Sequence, residues 1–160
     1  MEATPQKEHQ WLQKFLGNWS YESEAMIEPG KPPAKFVGTE TVRSIGGFWV
    51  VCEGSGTMPG GETGTTIMTL GYDSVKKRYV GTFIGSMMAH LWIYDGLLDS
   101  ERNILTLNAE GPGFSVEGST AKYKDVIEFK SDDHRVLSSH ELRADGTWNS
   151  FMTANYRRAR

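Results

Sequence analysis

The sequence predicts an all-β fold: a closed or nearly closed antiparallel up-and-down barrel of about ten strands with one N-terminal helix. Three observations carry this. Helical spacing of apolar residues is confined to the stretch before Gly17. From Asn18 onward apolar and polar residues alternate, the period of a strand whose successive side chains face opposite sides. Short polar or glycine-bearing turns interrupt that alternation about every ten to fifteen residues, which favours a meander over βαβ units. An open sheet of this many strands would leave two exposed edges, so closure is expected, with a two-sheet sandwich as the alternative. On this reading the 160 residues form a single domain, with the helix over about 5–16 and the barrel over about 18–157.

Each element has its own signal. Thr4 is placed to cap the helix, Pro5 suits its first position, and Trp11, Leu12, Phe15 and Leu16 form one apolar stripe ended by Gly17. The first strand sets Trp19, Tyr21 and Ala25 against Ser20, Glu22 and Glu24. A Pro/Gly loop at 29–33 leads to a strand near 36–45, and Gly46-Gly47 marks a hairpin into 48–57. Beyond a glycine-rich loop at 58–64, three central strands are expected at 65–73, 77–86 and 90–99. A strand at 104–109, a loop at 110–118 and strands at 121–130, 134–143 and 147–157 complete the chain. Asp132-Asp133 and Asp145-Gly146 supply the last two turns.

Composition narrows the function. A formal net charge of −3 gives no pull toward nucleic acid or anionic lipid, and the basic end, Arg157 to Arg160, reads as a solvated terminus. No run approaches the apolar length of a membrane helix. A membrane barrel is disfavoured, because Glu22, Glu24, Lys122, Lys124, Glu128 and Lys130 would meet lipid. The single cysteine, Cys52, suits a reducing compartment, and the polar N-terminal stretch lacks a secretory core, so the cytoplasm is expected. Self-association into a homo-oligomer is left open.

Several side chains are candidates for a ligand site. His90, Trp92 and Tyr94 share one strand face, three large groups with polar atoms that resemble a pocket lining more than a dry core. Tyr123 and Asp125 fall on the apolar face of their strand, which puts a carboxyl among aromatics. In the next strand Val136, Ser138, His140 and Leu142 share a face, so His140 and Asp125 could be interior neighbours. Trp19 and Tyr21 complete the expected interior set. Met87 and Met88 read as pocket wall or core filler, and Trp49 and Trp148 as packing residues. Histidine spacing and a lone cysteine do not make a metal site. No nucleophile-elbow, dinucleotide or P-loop motif occurs.

The helix followed by Gly17-Asn18-Trp19 is similar to the G-x-W entry of lipocalin-like barrels. The block Gly71-Tyr72-Asp73, Lys77, Tyr79-Val80-Gly81-Thr82, Ser86-Met87, His90-Leu91-Trp92 and Gly96-Leu97-Leu98-Asp99 resembles the bacterial domain-of-unknown-function family 1579. It departs from the family habit at Phe83 and Gly85, where tryptophan and aspartate are expected. The resemblance implies a calycin-like barrel and no established activity. The expectation is a cytosolic barrel binding a small, partly apolar molecule through His90, Trp92, Tyr94, Trp19, Tyr21, Tyr123, Asp125 and His140. Three alternatives stay open: a cavity enzyme moving protons with His90 or His140 oriented by Asp125, a haem-binding barrel with His90 as proximal ligand, and a structural or assembly protein.

Overall fold

The computed structural model describes residues 3–26, 30–58, 60–113 and 118–159. Its elements are α1 (Lys7–Leu12), a 3₁₀ turn (Gln13–Phe15), β1 (Gly17–Ala25), β2 (Ala34–Ile45), β3 (Trp49–Thr57), β4 (Thr63–Asp73), β5 (Arg78–Gly85), β6 (Trp92–Asp99), β7 (Ile104–Pro112), β8 (Thr120–Ser131), β9 (His134–Leu142) and β10 (Trp148–Arg158). Each strand pairs antiparallel with the next, and β1 pairs with β10 from Trp19↔Arg158 to Ala25↔Met152, so the sheet closes into a ten-stranded barrel. The predicted class and connectivity hold. Parts of the loops expected at 29–33, 58–64 and 110–118 lie outside the described residues. No helix among the described residues is long and apolar enough to cross a membrane.

The helix is shorter than expected and is capped by Gln6 rather than Thr4. His9 accounts for the difference: its Nδ1 accepts the Gln6 backbone N–H at 2.9 Å, and its Nε2 lies 3.0 Å from the Tyr72 carbonyl. A reciprocal contact at the third helical position thus starts the helix two residues late.

Such a short helix is stable only through what it packs against. It closes one end of the barrel. Phe15 and Trp11 meet the edge of Phe129 at ring separations of 5.0 and 5.6 Å. Tyr79 donates to the Glu8 carbonyl and the Trp11 indole N–H to Asn103, both at 3.0 Å. Trp19 donates to the Phe15 carbonyl at 2.8 Å. Arg158 then ties the last strand to this end, donating to the carbonyls of Leu16 (2.5 Å), Lys14 and Asp132 (both 3.0 Å) while its guanidinium lies 4.3 Å from the Trp19 ring centre.

Under the helix lies the ion pair of Glu40 and Arg135, whose side chains are only 9% and 4% exposed. The Arg135 guanidinium sits among the rings of Tyr156 (4.1 Å), Trp19 (4.5 Å) and Phe15 (5.1 Å). Its Nη1 has no hydrogen-bond partner, and the ring faces are what surround it instead. Removing one member leaves the other charged and buried, which costs about 3–5 kcal/mol. Glu40→Gln is therefore expected to lose most of that in urea unfolding, while Glu40→Leu combined with Arg135→Met recovers it. A loss near zero in the single variant would mean that the pair does not hold this end together.

Candidate functional site

The opposite end of the barrel is not filled by the described residues. A cavity of about 350 Å³ opens there, at the small end of the range for ligand clefts (~300–1,000 Å³). Its opening follows from the strand ladder. β6 and β7 pair only from Asp95↔Asn108 to Asp99↔Ile104, whereas β7 continues to Pro112 along β8. Side chains take over where the β6–β7 ladder stops. His90 Nε2 lies 3.2 Å from the Glu110 carbonyl. The Trp92 ring covers Gly111, where a Cβ would come within 2.3 Å of it. Glycine is required there by close approach, not by its backbone angle.

The wall is aromatic and sulfur-rich. Trp92 meets His90 edge-on at 4.6 Å and Tyr123 at 5.0 Å, and its indole N–H points to the Met88 sulfur at 3.0 Å. Phe83, Met68 and Leu137 line the same space. A register shift in β10 between Ser150 and Met152 brings both Phe151 and Met152 to it. The Tyr123 hydroxyl is held between the Pro112 carbonyl and the Glu141 carboxyl, the latter at 2.9 Å.

Asp125 supplies the polar floor. Tyr94 donates to its Oδ2 at 2.5 Å and Ser139 to its Oδ1 at 2.6 Å. The carboxyl lies deep in the barrel yet borders the cavity. Burial raises its pKa above the ordinary carboxylate value, and the two donated hydrogen bonds oppose that rise only in part. Burial, with the Asp125 charge added, also pushes the Tyr94 hydroxyl well above its usual range, so it remains a donor.

Of the expected residues, His90, Trp92, Tyr94, Tyr123 and Asp125 line the cavity. His90 does so from the loop before β6, and not from a strand. To ligate a haem iron through Nε2 it would have to release its contact with the Glu110 carbonyl. Trp19 and Tyr21 are interior but lie outside the cavity lining. Trp19 is packed under the helix, and Tyr21 stacks on Tyr156 at 5.2 Å over room left by Gly38 and Gly56. Met88 is cavity wall, while Met87, Trp49 and Trp148 are exposed on the outside.

The His140 expectation is overturned. A register shift between Phe129 and Ser131 is the cause. Continued from the Ser131↔His134 pair without interruption, the ladder would set Asp125 against His140; the extra residue sets it against Ser139. Arg135, Leu137 and Ser139 therefore face inward. His140 faces outward beside Lys124 and contacts the Ser138 hydroxyl at 3.0 Å. Burial and then the Lys124 charge push its imidazole below the usual histidine range. Sequence reasoning missed Ser139, Arg135 and Glu40. The only available signal was the clash of two polar faces in β9, which alternation alone does not resolve.

Fold and site together define a closed ten-stranded barrel with an apolar-walled, carboxyl-floored cavity at one end. The chain belongs to the family described as "Protein of unknown function (DUF1579)", whose model matches residues 4–158. No curated protein matches it in sequence. It is similar in structure to Rv2717c from M. tuberculosis, with TM-score 0.68 and 12% identity over 98% of this chain and 100% of that one. It is also similar to a de novo designed fluorescence-activating β-barrel, with TM-score 0.51 and 12% identity over 92% and 95% of the two chains. A third similar structure, EF1p2_mFAP2b bound to DFHBI, has TM-score 0.50 and 11% identity over 95% and 99%.

The raised Asp125 pKa fixes the sign of a stability effect. An acid that holds its proton more tightly when folded supports the fold below the ordinary carboxylate range, and that support is lost as pH rises through the folded pKa. Asp125→Asn cannot ionise. Its thermal midpoint is expected to exceed that of the wild type by a few degrees near neutral pH, with the gain shrinking as pH falls through the carboxylate range. A variant less stable than wild type at neutral pH would show that the carboxylate is well accommodated in the free protein.

Proposed function

We propose that this protein binds a small, partly apolar organic molecule in the mouth-end cavity, and that it does so in the cytoplasm. One observation carries the reading: an apolar, aromatic-walled cavity of about 350 Å³ with a single half-buried carboxyl at its floor, oriented by Tyr94 and Ser139. Aromatic walls supply contact area and one fixed polar group supplies orientation. The structurally similar protein described as bound to DFHBI is in line with a ligand-holding role for this fold. The proton-transfer alternative has less behind it. His140 faces away from the cavity, and the described contact of His90 is with the Glu110 carbonyl.

Two measurements test the reading. Mass spectrometry of protein purified from its native host is expected to show an enriched small molecule. The neutral dye N-phenyl-1-naphthylamine is expected to brighten on binding, and Leu137→Trp, which puts a larger side chain into the cavity, is expected to weaken that binding by about tenfold or more. No dye binding and no co-purifying molecule would leave the barrel a structural or assembly protein.

A further inference from the structure

Resting on the cavity reading above, we propose that the ligand is a compact organic cation, an amine whose ammonium group sits on Asp125 and whose apolar body lies against Trp92 and Tyr123. The argument begins with charge. Asp125 lines the cavity, and among the described residues no lysine or arginine does. The basic groups elsewhere inside are engaged. Arg135 is paired with Glu40 and enclosed by rings. Arg158 is held by three main-chain carbonyls and by Asp133 at 3.3 Å. A carboxylate drawn partly out of water needs a cation or several donors, and here the described residues supply two hydroxyl donors and no lysine or arginine, while the ring of His90, which also lines the cavity, is turned to the Glu110 carbonyl.

Hydrogen-bond capacity points the same way. An ionised carboxyl offers about four acceptor directions. Tyr94 and Ser139 fill one on each oxygen, which leaves acceptor capacity on a carboxyl that borders the cavity. Both hydroxyls spend their only proton on Asp125, so the floor presents acceptors to a ligand and not donors. A carboxylate or phosphate ligand would meet a like charge and no donor there. An ammonium group would meet an opposite charge, in a cavity whose aromatic lining can attract cations. The upward push of burial on Asp125 is the free-protein counterpart: without a cation the site favours the proton.

Three probes matched in size separate the possibilities: 1-naphthylmethylamine, 1-naphthalenemethanol and 1-naphthoate, titrated into the protein by calorimetry. The amine is expected to bind about tenfold or more tighter than the alcohol, because a hydrogen bond to a charged partner exceeds a neutral one by that order, and naphthoate is expected not to bind. Asp125→Asn is expected to bring the amine down to the affinity of the alcohol, whereas Ser139→Ala, which keeps the carboxyl, retains the preference. Equal binding of alcohol and amine by the wild type overturns the cationic assignment and leaves the cavity reading standing. An amine preference that survives Asp125→Asn also overturns it, since the ammonium would then sit elsewhere. If neither the probes nor N-phenyl-1-naphthylamine bind, the cavity reading falls with it. The wild-type comparison decides the matter even if Asp125→Asn fails to fold.

Discussion

Closing ten strands creates an interior wider than side chains from the walls can fill, since eight strands already enclose about as much space as side chains occupy. Everything else in this molecule answers that constraint. At one end the space is taken by inserted groups: the helix, its aromatic stripe and the Arg135 guanidinium stacked among Trp19, Phe15 and Tyr156. Arg158 fastens that plug by holding the carbonyls of Lys14 and Leu16. At the other end none of the described residues is inserted in this way, and the space left among them is the cavity.

The two ends are linked by a single backbone irregularity. The register shift near the end of β8, opposite the start of β9, turns Arg135 toward the plug and, four residues on, turns Ser139 toward Asp125. Without it both would face outward, and His140 would stand where Ser139 does. One bulge thus builds the ion pair that closes the barrel and the hydrogen bond that orients the floor of its cavity. The two interior acids are treated differently as a result. Glu40 has a guanidinium beside it; Asp125 has two hydroxyls and a cavity.

The mouth is shaped by the short β6–β7 ladder. Where main-chain pairing ends, the Trp92 ring over Gly111 and the His90 contact with Glu110 hold the two strands together. Side-chain contacts of this kind can be exchanged more readily than a ladder of backbone hydrogen bonds. The residues that frame the cavity are therefore also the ones that border its entrance.

How much of this the sequence determined by itself depends on the range of the interaction concerned. Alternation, turn residues and the helical stripe are local. They were sufficient for the all-β class, the strand order, the inward face of β8 and the grouping of His90, Trp92 and Tyr94. The helix cap went to Gln6 because His9 found a carbonyl on β4, a partner 63 positions away. The face of β9 could not be read, because HRVLSSHEL carries apolar and polar residues on both faces. The bulge that sets it is a one-residue event in the neighbouring β8, between Phe129 and Ser131, whose position depends on what fits across the barrel. Arg135 fits against Glu40 and three rings, and Ser139 fits against Asp125. The tertiary structure decided which polar residues face inward, because that choice rests on partners that alternation along one strand does not see.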